Sequence, residues 1–194
     1  MKIKQQKQIK ALFIAEYGKE KGNILFSKQS DILDTLIKNN GGKSKSQMKT
    51  LIQTILPRIA LYKILQNENS RQNDAYEIMR KYMTNEVGAK KHSFTAKLEI
   101  IPFFFALYKK TFLHIMRTTT LQESEQTCGC DFFDVTIKKC LWHTACVENG
   151  CAELCPLFCD VDDVTYGGLK KMGFSRTQTL GYGGDCCDFH FYKK

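Results

Sequence analysis

Residues 174–192 read FSRTQTLGYGGDCCDFHFY, and this stretch decides the fold. Residues 174–180 and 186–192 have the β-branched and aromatic content of strands, and the segment 181–185 (GYGGD) between them has the glycine and aspartate of a turn, so the pattern predicts a C-terminal β-hairpin. Alternation along the second strand places Cys187, Phe189 and Phe191 on one face and Cys186, Asp188 and His190 on the other. Cys187 and Asp188 therefore cannot face one pocket unless a bulge or the strand end re-aims one of them. The same stretch gathers an arginine, hydroxyls, two thiols and two carboxylates, a mixture that packing alone does not require.

Working outward, residues 131–137 alternate enough for another strand and 140–148 suit a short helix. Pro156 stands where a further helix can begin, with Cys159 and Asp162 three apart on one face. The polar stretch 118–127 reads as a connection. Everything before it is helical in pattern. Ile9, Leu12, Phe13, Glu16 and Tyr17 mark one segment, and Ile32, Leu33, Leu36 and Ile37 a second that stops at the Asn-Asn-Gly-Gly of 39–42. Ser44 and Gln47 form a capping box ahead of Met48, Leu51, Ile52, Ile55, Ile59 and Ile64, with Pro57 predicting a kink or break. After a polar linker at 66–73, Tyr76, Met79, Tyr82 and Met83 repeat at helical spacing. Leu98, Ile101, Phe105, Tyr108, Phe112 and Ile115 then form the most apolar stripe, expected to be the central core helix. The expected fold is α+β: one domain over 1–194, with a helical part (1–120) packed on a small antiparallel sheet in a cysteine-rich part (121–194), closed by the C-terminal hairpin.

The chain has 194 residues and a net charge of +9. Residues 1–127 hold 22 Lys and Arg against 11 Asp and Glu, whereas 128–194 hold 7 against 9, so the excess belongs to the helical part. It is spread as lysine at solvent-facing spacings, without the arginine clusters and interleaved aromatics of a strand-binding surface, and no nucleic-acid partner is expected. The longest apolar run, 100–108, is too short to span a bilayer and closes on Lys109-Lys110, so no membrane partner is expected either. Residues 1–20 carry only the short apolar run 11–15, which is not a signal-peptide core, and a reducing cytoplasmic location is the expectation. There the nine cysteines, all between Cys128 and Cys187, are expected to be free, metal-bound or catalytic rather than cross-linked.

Four pieces of the last third together resemble the L-2-amino-thiazoline-4-carboxylic acid hydrolases. These are Asp134-Val135-Thr136 followed by Cys140, Glu153-Leu154 leading to Cys159 and Asp162, the Arg-Thr-x-Thr-Leu run from Arg176 to Leu180, and the closing Gly-Asp-x-Cys-Asp-Phe from Gly184 to Phe189. The resemblance implies hydrolytic opening of a small cyclic amidine at a C–N bond, giving a carbamoyl-cysteine-type product on a route to cysteine. The C-terminal hairpin with its late cysteine also loosely resembles 4-vinyl-reductase-type small-molecule-binding domains, which implies the alternative of a ligand-sensing or metal-binding module without turnover.

Opening a 2-amino-thiazoline needs attack at the amidine carbon, a proton for the departing atom, and a group to hold the substrate carboxylate. Arg176 offers a planar fork of donors for that carboxylate, with Thr179 and Asp185 in the same substrate site. Asp162 and Asp188 are candidates to pair with the amidinium and move protons. Two mechanisms stay open for the thiols. In one, Cys187 or Cys159 is the nucleophile and forms a covalent intermediate that water resolves. In the other, Cys140, Cys159 and Cys187 converge on a metal such as zinc, with Asp162 or His143 as fourth ligand, and the metal activates water. No Cys-x-x-Cys pair occurs, which excludes a zinc-finger or ribbon framework.

Overall fold

The computed structural model describes residues 3–68 and 72–194, without the side chains of residues 72 and 73. The chain forms two compact units, residues 1–79 with 145–154 and residues 80–144 with 155–194.

The first unit is helical. Helices α1 (Gln6–Tyr17) and α2 (Lys19–Asn39) form an antiparallel pair. They approach so closely at Gly22 that an added Cβ would lie 2.7 Å from the Phe13 carbonyl oxygen, so only glycine fits there. The capping box is formed as expected: Ser44 Oγ accepts from the Gln47 N–H and Gln47 Oε1 from the Ser44 N–H at the start of α3 (Lys45–Thr50). Pro57 does not break the chain after α3. A π-helical turn at Leu51–Ile55 leads directly into α4 (Leu56–Glu68), because the ring clash and missing N–H of a proline are relieved by widening the preceding turn. The side-chain amide of Gln5 donates to the Gln53 carbonyl, four residues before the proline, and the buried Gln29 donates to the Pro57 carbonyl at 3.1 Å. Ile9, Phe13, Leu25, Leu51, Ile55 and Tyr62 are fully or almost fully buried in this unit. Residues 145–154 are tied to the helices by Lys43–Glu148 (2.9 Å), Asn40–Asn149 (3.2 Å) and Gln66–Glu153 (3.2 Å). Residues 66–68 of the expected linker belong to α4, and residues 69–71 lie outside the described residues.

Helix α5 (Gln72–Lys81) runs into the second unit, where a π-helical segment (Tyr82–Gly88), α6 (Ala89–Leu98) and α7 (Phe104–Thr118) follow. The apolar stripe expected as one helix from Leu98 is interrupted at 99–103. Pro102 disfavours helical geometry at Ile101, and Phe103 takes up a left-handed conformation (φ 56°). Within α7, Phe104, Phe105, Leu113 and Met116 are buried in the core, but Ile115 is exposed.

The sheet is antiparallel in the order β1-β2-β4-β3, formed by Gln122–Cys128, Phe132–Cys140, Met172–Ser175 (β3) and Cys187–Lys193 (β4). Strand β1 lies in the stretch read as a connection. It is an edge strand of Gln, Glu, Ser and Thr with no apolar face to reveal it, recruited by pairing with β2. Helix α8 (Leu141–Glu148) follows β2 directly, and α9 (Cys155–Tyr166) begins beside Pro156 as expected. The fold is therefore α+β, and the helices packed on the sheet within this unit are α7 and α9.

The closing hairpin is real, but its first strand ends at Ser175. Residues 176–186 leave the ladder and include a 3₁₀ turn (Leu180–Tyr182). Asp188 accounts for the departure. Its carboxylate accepts the backbone N–H groups of Thr177 (3.0 Å) and Gln178 (2.8 Å) and the Thr177 hydroxyl (2.5 Å), which takes those donors away from strand pairing.

Candidate functional site

Alternation along β4 holds: Cys187, Phe189 and Phe191 are buried, and Asp188 and His190 point to the other face. Above the buried face, the loop 176–186 and helix α9 bring together Cys187, Cys159, Cys155, Asp162, Asp163 and Arg176, all within the second unit.

Helix α9 presents Cys155 and Cys159 one turn apart, hydrogen-bonded to each other through their thiols. Gly181 lies against them, and a Cβ there would fall 2.8 Å from Cys159 Sγ and 3.2 Å from the Cys155 carbonyl carbon. Thr179 is buried; its hydroxyl caps the 3₁₀ turn by accepting the Tyr182 N–H (3.2 Å) and also hydrogen-bonds the Cys159 sulfur. The Cys155 hydrogen bond, together with burial, pushes the Cys159 thiol far up. Burial likewise raises Cys187, partly offset by the Leu180 N–H at 3.4 Å and the charge of Arg176. Cys140 sits at the start of α8, where the His143 and Trp142 N–H groups face its sulfur, yet burial still pushes it up to about 12. All three thiols are thus held protonated at neutral pH.

The acids behave differently. Asp162 is raised to about 6 by burial, with Lys91 and Arg176 pulling it down and Asp163 pushing it up. Arg176 reaches across from the loop to Asp163, which ion-pairs with one arm of the guanidinium. The arginine side chain is only 9% exposed, and its other terminal nitrogen, Nη1, is buried without a hydrogen-bond partner among the described residues. Arg176 also acts on the charges of both Asp162 and Cys187. Behind Asp162, the Tyr108 hydroxyl donates to that of Tyr166 at 3.0 Å, and burial raises both phenols.

The structure thus brings Arg176, Asp162, Cys187, Cys159 and Thr179 together. It does not bring Asp188 to them, since that carboxylate faces away and shapes the loop; burial opposes its ionisation, but the Thr177 hydroxyl and the Gln178 and Thr177 N–H groups outweigh it and lower its pKa. Asp185 is exposed on the loop, and its backbone N–H bonds to Gln178 Oε1 at 3.1 Å. Cys140 and Cys159 each lie within electrostatic reach of Cys187, but among the described residues no three His, Cys, Asp or Glu side chains are grouped to hold a metal ion, so the expected zinc set with Asp162 or His143 does not assemble.

Asp163, Cys155 and the Tyr108–Tyr166 pair were not anticipated. One signal for the acids was available: Asp162 and Asp163 stand side by side in the C-terminal half of α9, where the helix dipole disfavours carboxylates, so their presence calls for a cation from elsewhere. A surface hollow in the first unit, lined by Asp31, Thr35, Lys63 and Gln66 among others, contains no thiol and none of these groups.

Comparison with curated proteins and with solved structures gives no match. Comparison with family models gives one over residues 47–191, from the capping box to the buried Phe191 of β4 and including every residue of the site, and the chain therefore belongs to the L-2-amino-thiazoline-4-carboxylic acid hydrolase family.

Proposed function

We propose that this chain is a hydrolase that opens a small carboxylated cyclic amidine, of the 2-amino-thiazoline-4-carboxylate type, at its ring C–N bond. The observation that carries this reading is Arg176, a guanidinium buried to nine-tenths with one arm on Asp163 and the other without a partner, next to a carboxylate that titrates near neutrality. A buried donor of that kind costs free energy unless something accepts from it, and a substrate carboxylate does so with charge-assisted hydrogen bonds. With the substrate held there, ionised Asp162 takes a proton from the water that attacks the amidine carbon. The tetrahedral intermediate then expels the ring nitrogen, which receives that proton from Asp162, and an S-carbamoyl-cysteine is released. In this reading Cys187, protonated and hydrogen-bonded by Leu180, donates to the substrate rather than attacking it as a resting thiolate.

The test is turnover of 2-amino-thiazoline-4-carboxylate against its carboxylate-free analogue, by wild type and Arg176→Gln. Wild type should open the acid and discriminate strongly against the analogue. The variant should lose about 10²–10³-fold in kcat/KM on the acid and most of the discrimination, in line with removal of a buried charged partner. Absence of turnover of the acid by folded wild type would refute the reading. The second reading is binding without turnover, and saturable calorimetric binding of the acid with no product would select it.

A further inference from the structure

In the second unit, the corner between α6 and α7 exposes two large apolar side chains almost completely: Ile100 at 85% and Phe103 at 87%. Phe94 and Leu107, exposed at 65% and 50%, are their neighbours in sequence on the two helices. Phe103 is also the only non-glycine among the described residues with a positive φ, 56°. A bulky residue in that conformation is strained and gains no burial in return, so neither packing nor backbone preference accounts for it.

The charge around this corner has one sign. Across 97–110 and 167–175 the only acid is Glu99. Glu99 is buried, and its carboxylate is occupied by the backbone N–H groups of Lys170 (3.1 Å) and Lys171 (2.6 Å), which fixes those two residues beside the corner. Lys97, Lys110, Lys170 and Lys171 are all exposed.

We infer that the 99–103 corner docks this protein on an anionic lipid surface, with Ile100 and Phe103 entering the headgroup boundary and the flanking lysines meeting lipid phosphates and carboxylates. Apolar insertion and a basic surround are the two signals that together give reversible attachment of a peripheral protein. No helix among the described residues is long and apolar enough to cross a membrane, and docking of this kind needs none. A second copy of the chain is a poorer occupant, because pairing the corner with itself would set lysines against lysines.

The test is co-sedimentation of the full chain with vesicles of phosphatidylcholine alone and of phosphatidylcholine with phosphatidylserine. Wild type should bind the second and not the first, and binding should fall as salt is raised. Ile100→Ser/Phe103→Ser and Lys170→Glu/Lys171→Glu should each weaken it by about ten-fold or more, with circular dichroism unchanged. Phe103→Gly is the control for folding, since glycine accepts the backbone conformation at no steric cost. It should melt no lower than wild type and still lose lipid binding. Failure of wild type to bind the serine-containing vesicles at low salt overturns the proposal, as does retained binding by the Ile100/Phe103 variant. A concentration-dependent dimer that the same variant abolishes would also overturn it, by assigning the corner to self-association.

Discussion

The two faces of the four-stranded sheet treat neighbouring residues of β4 in opposite ways. On the buried face, Phe133 stacks on Phe191 with ring centroids 4.6 Å apart, and Val135, Ile137, Phe189 and Cys187 continue the core. On the other face, Thr127, Asp134, His190 and Ser175 stand in register across β1, β2, β4 and β3. There Asp134 accepts from the Thr127 hydroxyl at 3.1 Å and contacts His190 Nδ1 at 2.6 Å. Cys187 faces inward, and burial keeps its proton on. Asp188 faces outward, and hydrogen bonds keep its proton off. One face therefore sets the protonation of its polar group through desolvation, and the other through hydrogen bonds.

The largest effect expected from breaking this contrast is on the buried side. Asp162→Asn should lower turnover by about 10²-fold or more, the usual worth of a positioned proton-transfer group. Wild-type kcat/KM should rise with pH through about 6 as Asp162 ionises, and the variant should lack that limb. The sign for stability is opposite. The folded-state pKa is raised above 3.8, so folding favours the protonated acid, and this contribution is present at low pH and lost as pH rises through about 6. Melting curves of Asp162→Asn should depend less on pH across that window. If both variant profiles match wild type, Asp162 is not the titrating group.

Asp188→Ala comes next. It removes the acceptor for two backbone N–H groups and a hydroxyl and should cost about 2 kcal/mol in denaturant unfolding. Activity should fall with it, because Arg176 directly precedes the released segment. An unchanged midpoint would mean that the loop is held by its 3₁₀ turn instead. The smallest effect belongs to His190→Gln. Its partly exposed contact with Asp134 should be worth less than about 1 kcal/mol, and turnover should not change. A large loss of activity there would move the chemistry to the open face.

The alternation of β4 was legible because apolar residues occupy every second position, and the capping box at Ser44 because it is wholly local. Strand β1 was not, since Gln122–Cys128 has no apolar face and becomes a strand only through its partner. Residues 176–180 have strand-like side chains, yet the Asp188 carboxylate, close in space and distant in pattern, captures their N–H groups. At the site, the opposed facing of Cys187 and Asp188 followed from the period of a strand. The pairing of Arg176 with Asp163 did not, because it joins a loop to the end of a helix and leaves no periodic trace. Asp162 was singled out by its spacing from Cys159, but its raised pKa arises from burial that only the tertiary fold creates.

The first unit draws residues 145–154 from well beyond its own helices, and these contribute the partners of Asn40, Lys43 and Gln66. During synthesis on the ribosome, α1 to α4 emerge long before those partners exist. Local helices can form early, but the last native contacts of this unit must wait for a segment made after residues 80–144. Until then Asn40, Lys43 and Gln66 lack their final partners, and truncation before residue 154 should leave a chain that aggregates or is degraded rather than a smaller folded protein.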